Sequence, residues 1–378
     1  MRDGRIVILH VLGGLSMGGA ESRIMDVWRH MDREKFTFDF LLNEAPGYYE
    51  KEALELGSRI YRGPKYKIIN AASFKNGMRK LFEEHGDTDI VEGHSTNTAA
   101  LYLPLAKKAG MVTLAHAHSA GVEPGLSGML KKWTRRGLPD KTDYMLACST
   151  DAAKAVYGTM DRVRLIPNSE ELERFAPTAE NLRGGDSLKK ELGIEDRFVV
   201  GHVGRFHYAK NHPFLLEVFK ELLKQRKDAL LLLVGDGEEL EKVKQKAGEL
   251  GISENVIFAG MCPDPAPYYQ AMDVLVFPSF YEGLPGTIVE SQASGVPALL
   301  SDTVTRDVDI TELAVYEPLS SGVKSWAEKA LALAEKYPRS ERQSLMHCSE
   351  KMADAGFDIK KQVLELQDFY GSVLREDK

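Results

Sequence analysis

The 378-residue chain is 43% hydrophobic and carries a formal net charge of −7 at pH 7. Its length predicts about two domains of ~150 residues each, and an acidic balance argues against general nucleic-acid binding. Because no apolar run approaches the ~18 residues of a membrane-spanning helix, we expect no transmembrane segment.

The first predicted strand, RIVILHVL, begins at residue 5, so the sequence indicates no signal peptide. Three widely spaced cysteines, Cys148, Cys262 and Cys348, form neither a metal-binding knot nor a disulfide framework. Such cysteines are typical of a reducing compartment. We therefore expect a cytoplasmic protein.

A glycine-rich loop, GGLSMGGAES at residues 13–22, follows this strand and opens a predicted helix. Glycines let backbone N–H groups approach a phosphate, and a helix N-terminus favours an anion. The spacing is not the G-x-G-x-x-G of a dinucleotide-binding fold, and no suitable acid ends the second strand. The loop therefore indicates a phosphate or sugar site rather than an NAD site.

Two basic segments lie in the first half of the chain. Residues 56–82 contain no acid and seven bases, and KKWTRRG at 131–137 adds a tryptophan to four more. Such clusters are typical of surfaces that contact anionic lipid or an anionic acceptor. A solvated face without a partner is the alternative that the sequence leaves open.

Three histidines, His94, His116 and His118, lie at the ends of the predicted third and fourth strands. A single histidine at a strand end is more often structural. Three at neighbouring strand ends, facing one edge of a sheet, indicate a site. No metal-ligand spacing links them, so they do not predict a metal centre.

Strand-like runs alternate with helix-like runs along the whole chain, which predicts an α/β protein with two doubly wound parallel sheets. The polar stretch 168–187 contains Gly-Gly and a proline and is predicted to be the inter-domain linker. We place the domains at residues 1–172 and 185–355. The amphipathic C-terminal segment, 358–378, is expected to pack back on the first domain.

Basic and glycine-rich segments follow three predicted strands of the second half. Arg205 and Lys210, in GRFHYAKN, can converge on a diphosphate, the first as a planar fork of donors and the second as a point charge. Gly235 permits close backbone approach to a ribose, and the backbone near Met261 can contact the edge of a base. Because strand ends of a parallel sheet share one edge, we expect one crevice. Exposed bases near a helix start are the alternative.

The segment FPSFYEGLPGTIVESQASGVPALLSD, residues 277–302, contains two carboxylates eight positions apart. Glu282 lies in the loop after a buried strand, and Glu290 lies on the following helix, which Pro285 can open. Gly286 and Ser294, four positions to either side of Glu290, leave room for a ligand. Two surface glutamates, one favoured by the helix dipole, are the alternative.

Two D-x-D patterns, Asp87–Asp89 and Asp307–Asp309, have the spacing that holds Mg²⁺ or Mn²⁺ on a diphosphate. The first precedes a strand, at the wrong end of the sheet for this crevice, and the second lies in a polar connection. We expect neither to hold a metal and expect the activity to require no cofactor.

Together these motifs resemble the retaining GT-B glycosyltransferases of family 4. The resemblance rests on the GGAE of residues 18–21, the IPNSEELERF of 166–175, the GRFHYAKN of 204–211 and the Glu282–Glu290 pair. The segments LAHAHSAG and SDTVTRDVDIT resemble more narrowly the bacterial exopolysaccharide and capsule transferases. The resemblance implies a fold of two Rossmann-like domains that face each other across a deep cleft.

The resemblance also implies roles for individual residues. Arg205 and Lys210 neutralise the diphosphate, Glu282 contacts the donor hexose, and Glu290 holds the ribose. His116 contacts the sugar near the reacting carbon, with His118 as the alternative and His94 nearby. The implied donor-binding positions further comprise Gly18, Gly19, Gly235, Met261, Gly283 and Leu284. Where the family usually has Ile-Asp after its IPN motif and one small residue, this chain has Glu170-Glu171.

The implied function is a hexosyltransferase that moves a hexose from a nucleotide sugar, expected to be a UDP-sugar, to a saccharide or lipid-linked saccharide acceptor. Arg205, Lys210 and helix N-termini would stabilise the departing diphosphate without a metal. We expect action at the inner face of the plasma membrane in polysaccharide synthesis. Two alternatives stay open: a GT-B-type nucleotide-sugar epimerase and a non-catalytic nucleotide-sugar-binding protein.

Overall fold

The computed structural model describes residues 1–16, 18–118 and 133–376 and contains two parallel β-sheets. The chain divides into two units, each with one sheet. The first unit comprises Met1–Asn168 with Ile359–Lys378, and the second comprises Ser169–Asp358. The prediction of two doubly wound parallel α/β sheets is confirmed.

Buried, largely β-branched and aromatic runs form the first sheet. Its strands are β1 (Ile6–Leu12), β2 (Phe36–Leu42), β3 (Ile60–Arg62), β4 (Ile90–Gly93), β5 (Val112–Ala117), β6 (Tyr144–Ala147) and β7 (Val163–Leu165). They pair in the order β3-β2-β1-β4-β5-β6-β7. The strand order reverses between β1 and β4, and ligands of open α/β sheets bind beyond the carboxyl ends of strands at such a switch point.

Helices cover the first sheet. They are α1 (Gly19–His30), α2 (Glu50–Glu55), α3 (Ala71–Glu84), α4 (Thr96–Lys108), α5 (Thr150–Tyr157) and the C-terminal helix Ile359–Glu376. Trp28 of α1, Phe38 of β2 and Tyr370 of the C-terminal helix lie buried in a single cluster. Trp28 stacks on Phe38 at 4.8 Å between ring centroids. The C-terminal helix therefore packs on the first unit, as predicted, because its apolar stripe completes this core.

The second sheet is also formed by short, largely buried apolar strands. Its strands are β8 (Phe198–Val203), β9 (Ala229–Val234), β10 (Val256–Gly260), β11 (Val274–Phe277), β12 (Ala298–Ser301) and β13 (Ala314–Glu317). They pair in the order β10-β9-β8-β11-β12-β13, all parallel. The switch point lies between β8 and β11, so the loops that follow these two strands begin next to one another.

Helices cover this sheet and bury Phe219 and Trp326 against Leu231 and Val276. They are α6 (Leu172–Phe175), α7 (Ala179–Glu191), α8 (His212–Gln225), α9 (Leu240–Leu250), α10 (Ala266–Ala271), α11 (Gly286–Ala293), α12 (Gly322–Lys336) and α13 (Met346–Met352).

The prediction of a linker at residues 168–187 is wrong for most of that stretch, which belongs to α6 and α7 of the second unit. The hydroxyl of Thr178 accepts a hydrogen bond from the Asn181 N–H at 3.1 Å and caps α7. A Cβ at Gly185 would lie 2.6 Å from the backbone carbon of Gln270. The glycine therefore serves the close approach of α7 to α10 rather than flexibility of the chain.

Candidate active site

The loop after β8 holds the two predicted diphosphate-binding bases of the second unit. Arg205 is 65% exposed and donates to the Glu238 carboxylate at 3.1 Å. Lys210 ends a short 3₁₀ turn, and its Nζ donates to Glu282 Oε1 at 2.8 Å. Both side chains of this pair are largely buried. The structure therefore brings Lys210 and Glu282 together, from loops that follow β8 and β11.

Local backbone geometry fixes this pairing. Asn211 follows Lys210 in the left-handed conformation, at φ 55° and ψ 43°, and begins helix α8. Its side-chain amide donates to the Pro278 carbonyl at 3.2 Å, which ties the β8 loop to the end of β11. Asparagine tolerates this conformation better than most residues, because its short polar side chain bonds locally. The Lys210 ammonium also lies 4.5 Å from the centroid of the Phe277 ring.

The glycines of the β9 loop have a packing role that the sequence did not reveal. A Cβ at Gly235 would overlap the Gly204 carbonyl, and one at Gly237 would overlap the Phe206 carbonyl. Both glycines have positive φ angles, 138° and 158°. Close contact between the β8 and β9 loops therefore requires glycine here, whether or not a ligand approaches.

Glu290 lies buried on α11 and accepts a hydrogen bond from the Tyr269 hydroxyl at 2.7 Å. Burial, followed by the nearby Glu290 charge, raises the pKa of Tyr269 well above its usual value, so this hydroxyl stays a donor. A Cβ at Gly286 would lie 3.1 Å from Glu170 Oε1 and 3.8 Å from Glu290 Oε1. Glu170 thus lies buried beside the predicted ribose-binding carboxylate, a position that was not predicted from sequence.

The remaining predicted positions of the second unit lie at the same edge of its sheet. Met261 follows β10 and is exposed, while Leu284 is buried in the loop after β11. Gly283, also buried, lies between Glu282 and Leu284 and ahead of α11. The Gly235 N–H donates to the Gly260 carbonyl at 2.8 Å, which joins the ends of β9 and β10.

In the first unit, Gly18 caps the N-terminus of α1 in an extended conformation, and Gly19 is the first residue of that helix. A Cβ at Gly18 would overlap the carboxylate of Glu21, whereas one at Gly19 would meet nothing within 4 Å. The predicted loop-to-helix transition is therefore present, and its first turn carries the Glu21 carboxylate.

The predicted histidines belong to a larger buried network at the switch point of the first sheet. His94 bonds His118 through its Nδ1 and His10 through its Nε2, each at 2.8 Å. His116 Nδ1 bonds Glu92 Oε1 at 2.7 Å. The Tyr370 hydroxyl of the C-terminal helix donates to Glu92 Oε2, also at 2.7 Å.

Burial decides the protonation of this network. It lowers the pKa of His10 to about 4 and holds the pKa values of His94 and His118 well below the usual range. Burial alone would raise the pKa of Glu92, but the hydrogen bond from His116 and the neighbouring imidazoles lower it overall. Glu92 is therefore an anion and its neighbours His94, His118 and His10 are neutral at pH 7.

Sequence reasoning missed His10, Glu92 and Tyr370, which hold the predicted histidines in place. His10 and Glu92 are single polar residues in the otherwise apolar strands β1 and β4, and Tyr370 is distant in sequence. Two buried polar residues in such strands are themselves a signal, because burial of polar groups requires partners.

Several basic side chains of the two predicted basic segments are paired with acids or buried, so neither segment is a uniformly basic surface. Arg59 pairs with Asp87 at 3.1 Å, Lys65 with Glu44 at 3.5 Å, and Arg62 with Glu50. In the second segment Lys131 and Lys132 lie outside the described residues, and Arg135 is buried, whereas Trp133 is exposed. Ile68 and Ile69 are exposed within the first segment.

Two family models match the chain, one on each half. One described as "Glycosyltransferase Family 4" covers residues 17–174, and one described as "Glycosyl transferases group 1" covers residues 186–313. The chain belongs to the family 4 glycosyltransferases and is a transferase enzyme. It is 34% identical to a Bacillus subtilis (strain 168) protein assigned as the glycosyltransferase EpsF, over 98% of this chain and 97% of that protein.

The names of two further relatives state what they act on or help to make. The "UDP-Gal:alpha-D-GlcNAc-diphosphoundecaprenol alpha-1,3-galactosyltransferase" of Escherichia coli is 27% identical over 75% of each chain. The "Capsular polysaccharide biosynthesis glycosyltransferase CapH" of Staphylococcus aureus is 24% identical over 97% of this chain and 99% of that protein.

A solved structure shares the fold. HepE of Anabaena, crystallised with UDP, superposes with a TM-score of 0.78 at 17% identity, over 97% of this chain and 100% of that chain. The likeness confirms the predicted GT-B class. Within the described residues, none of the helices has both the length and the apolar character needed to cross a bilayer.

Proposed function

We propose that the protein transfers a hexose from a UDP-sugar to a saccharide or lipid-linked saccharide acceptor, with retention of anomeric configuration, in the synthesis of a cell-surface polysaccharide. The observation that carries this proposal is the Lys210–Glu282 ion pair at the switch point of the second sheet. A cation and a carboxylate at the carboxyl ends of neighbouring strands would suit the diphosphate and the hexose of a nucleotide sugar.

Lys210 and Arg205 would act on the diphosphate. The leaving group gains charge in the transition state, and one well-placed donor is worth about 3–4 kcal/mol there. Lys210 is positioned by its hydrogen bond to Glu282 and lies next to the Asn211 turn, which would place its ammonium before the donor binds. Arg205, exposed on the same loop, can close on the phosphates from solvent.

Glu290 and Glu282 would hold two different parts of the donor. Glu290 is buried on α11 with one oxygen on Tyr269, an arrangement suited to a fixed pair of ribose hydroxyls. Glu282 is in the loop, beside Lys210, and is suited to the hydroxyls of the transferred hexose. Its pairing with Lys210 does not favour a role as a covalent nucleophile, and the leaving phosphate is the candidate base for the acceptor proton.

Of the two candidate histidines, the hydrogen bonds favour His116 as the sugar contact. His118 Nε2 is engaged by His94 Nδ1, whereas His116 Nε2 has no hydrogen-bond partner among the described residues. The Nδ1–Glu92 bond orients the ring of His116 and leaves Nε2 for a hydroxyl of the sugar.

The donor, the acceptor and the location of the enzyme are supported by names of relatives and by surface chemistry. The E. coli relative uses UDP-Gal and a diphosphoundecaprenol-linked acceptor, and HepE binds UDP. Exposed Ile68, Ile69 and Trp133, beside lysines, suit contact with an anionic membrane. We therefore place the enzyme in the cytoplasm, at the inner face of the plasma membrane.

Purified protein incubated with a panel of UDP- and GDP-sugars and a saccharide acceptor tests the proposal. We expect release of UDP from one UDP-sugar, dependent on acceptor, and an anomeric configuration of the product that matches the donor by NMR. Release of GDP alone would overturn the donor assignment. Epimerisation of the donor without transfer, or an inverted product, would overturn the reaction.

A further inference from the structure

Two successive hydrogen bonds connect the C-terminal helix to His116. The Tyr370 hydroxyl donates to Glu92 Oε2 at 2.7 Å, and Glu92 Oε1 lies 2.7 Å from His116 Nδ1. In the first sheet Glu92 pairs with Leu114, so its side chain and that of His116, two residues further on, share one face. All three members of this Tyr370–Glu92–His116 triad are buried in the first unit.

Apolar packing fixes the position of the Tyr370 ring. Its centroid lies 6.4 Å from those of Phe36 and Phe38 on β2 and 6.0 Å from that of Phe369. A tyrosine hydroxyl keeps its proton at neutral pH, so Tyr370 is the donor to Glu92. A side chain that packing locks in this way can hold a carboxylate in one orientation.

The stability of the fold does not explain a carboxylate at the end of β4. Glu92 follows Ile90 and Val91, which are fully buried. Burial of a charged group costs free energy, and a well-packed apolar side chain is often as good for stability or better. The Glu92 carboxylate instead holds a ring whose other nitrogen, His116 Nε2, is buried and has no hydrogen-bond partner among the described residues. The arrangement indicates that Glu92 serves His116 rather than the core.

We propose that Glu92 and Tyr370 are positioning residues of the transferase reaction, which hold the His116 ring with Nε2 directed at the transferred sugar. The inference rests on the proposed function, in which His116 contacts that sugar. A carboxylate bonded to one ring nitrogen of a histidine orients the ring. Tyr370 acts one step further out, because its bond to the second carboxylate oxygen keeps Glu92 from turning away.

Turnover of two conservative variants, measured beside calorimetry with UDP, tests the proposal. Glu92→Gln keeps the shape of the side chain and should lower kcat about 10–100-fold, the range for loss of a partner that orients a functional histidine. Tyr370→Phe removes one outer hydrogen bond and should lower kcat about 3–10-fold. The affinity for UDP should not change in either variant, because the nucleotide is assigned to Lys210 and Glu290 of the second unit.

A double variant separates positioning from a general effect on the fold. In the His116→Ala background, whose own kcat is reduced, Glu92→Gln should cause no further loss, because its whole effect passes through His116. A carboxylate that only stabilised the first unit would lower turnover by the same factor in both backgrounds, and that result would overturn the proposal.

The matched control is Tyr61→Phe, because the Tyr61 hydroxyl also lies on a buried carboxylate of the first unit, 3.4 Å from Asp39 Oδ2. It should turn over as the parent does, and thermal unfolding should show that the variants are folded. Proton NMR adds a readout without turnover. The Nδ1–H signal of His116, assigned by its absence in His116→Ala, should move upfield in Glu92→Gln because the carboxylate is gone.

An unchanged Nδ1–H signal, or parent-like kcat in the folded single variants, would overturn the positioning roles and leave the proposed function intact. If Glu92→Gln does not fold, the kcat of Tyr370→Phe decides alone. A parent protein that releases no nucleoside diphosphate from any donor sugar would instead overturn the proposed function, and the positioning roles with it.

Discussion

At the scale of single residues, the ion pair between Lys210 and Glu282 is the centre of the proposed donor site of the second unit. The ammonium is neutralised by one carboxylate and lies against the Phe277 ring, so it is stable in a largely buried position. A diphosphate brings two further negative charges to the same cation. On the proposed function, Lys210 would donate to the diphosphate, and Glu282, whose Oε1 accepts from Lys210, would also accept hydrogen bonds from hydroxyls of the sugar.

Two substitutions separate the roles of the carboxylates. Glu282→Gln should cut turnover by on the order of 10²–10³ and leave UDP affinity nearly unchanged, because Lys210 remains. Glu290→Ala should weaken binding of free UDP by about 2–4 kcal/mol, since it removes charged hydrogen bonds to the ribose. Calorimetry with UDP beside turnover assays measures both. Parent-like binding and turnover in the two variants would show that the carboxylates lie outside the site.

A buried histidine of the second unit makes stability depend on pH. Burial lowers the pKa of His202 from 6.5 to about 4, and its Nδ1 lies 2.9 Å from the Val276 carbonyl. Between these two values the unfolded chain binds a proton that the folded chain excludes, so stability falls as pH falls. From pH 7 to pH 5 the loss should be about 2 kcal/mol. Urea unfolding of the parent and of His202→Gln should differ in pH dependence by this amount, and equal slopes would contradict it.

At the scale of elements, two adjacent glycines of helix α7 have different roles, because only one of them is needed for close packing. Gly184 and Gly185 lie in the same helix, yet a Cβ at Gly184 would meet nothing within 4 Å. At Gly185 it would meet the Gln270 backbone of α10. Gly185 therefore permits the close packing of α7 on α10, whereas Gly184 only lowers the stability of the helix.

Alanine at each position provides a matched test. Gly184→Ala should stabilise the protein by up to ~1 kcal/mol through helix propensity. Gly185→Ala gains the same propensity but must displace backbone, so a net loss of about 1–3 kcal/mol is expected. Thermal and urea unfolding measure both. Equal effects of the two substitutions would show that α7 and α10 are not in close contact.

The short 3₁₀ turn Ile68–Asn70 exposes two large apolar side chains beside Lys65 and Lys67, with Ile69 at 93% exposure. If it contacts the membrane, replacing both isoleucines by Ser should reduce co-sedimentation with anionic liposomes at low salt. Leu364→Ser, at an exposed apolar position on the C-terminal helix, is the control and should have no effect. Basic residues near a surface contribute ~1 kcal/mol each, screened by salt. Binding unchanged in the double variant would leave the segment as a solvated face.

At the scale of the whole molecule, the candidate residues of each unit lie at the carboxyl ends of strands of its own sheet. The acids that could hold a metal on a diphosphate are used elsewhere. Asp89 precedes β4 and accepts from the Val7 N–H at 2.9 Å, and Asp309 pairs with Arg306. On the proposed function, Arg205 and Lys210 are the cations that would neutralise the leaving diphosphate.

Activity of the intact enzyme should therefore survive EDTA. Turnover measured before and after EDTA, and after addition of Mn²⁺, tests this. Activity that is lost with EDTA and restored by Mn²⁺ would show that protein cations are insufficient.

Much of the fold and of the candidate site could be predicted because the signals are local. Short, largely apolar runs of three to seven residues define the strands, and their alternation with helices defines two parallel sheets. The strand ends locate Arg205, Lys210, Glu282 and His116. A motif such as E-x₇-E is likewise local, since one loop and one helix hold both residues.

Only the tertiary structure decided which distant side chains meet. The pairing of Lys210 with Glu282, the place of Glu170 beside Glu290 and the assembly of His10, His94, His116 and His118 around Glu92 join residues from separate strands and loops. The Gly-Gly of residues 184–185 suggests a flexible linker by composition, but packing against α10 makes it helix. Propensity and spacing act along the chain, whereas burial, close contact and hydrogen-bond partnership are set by what lies across the fold.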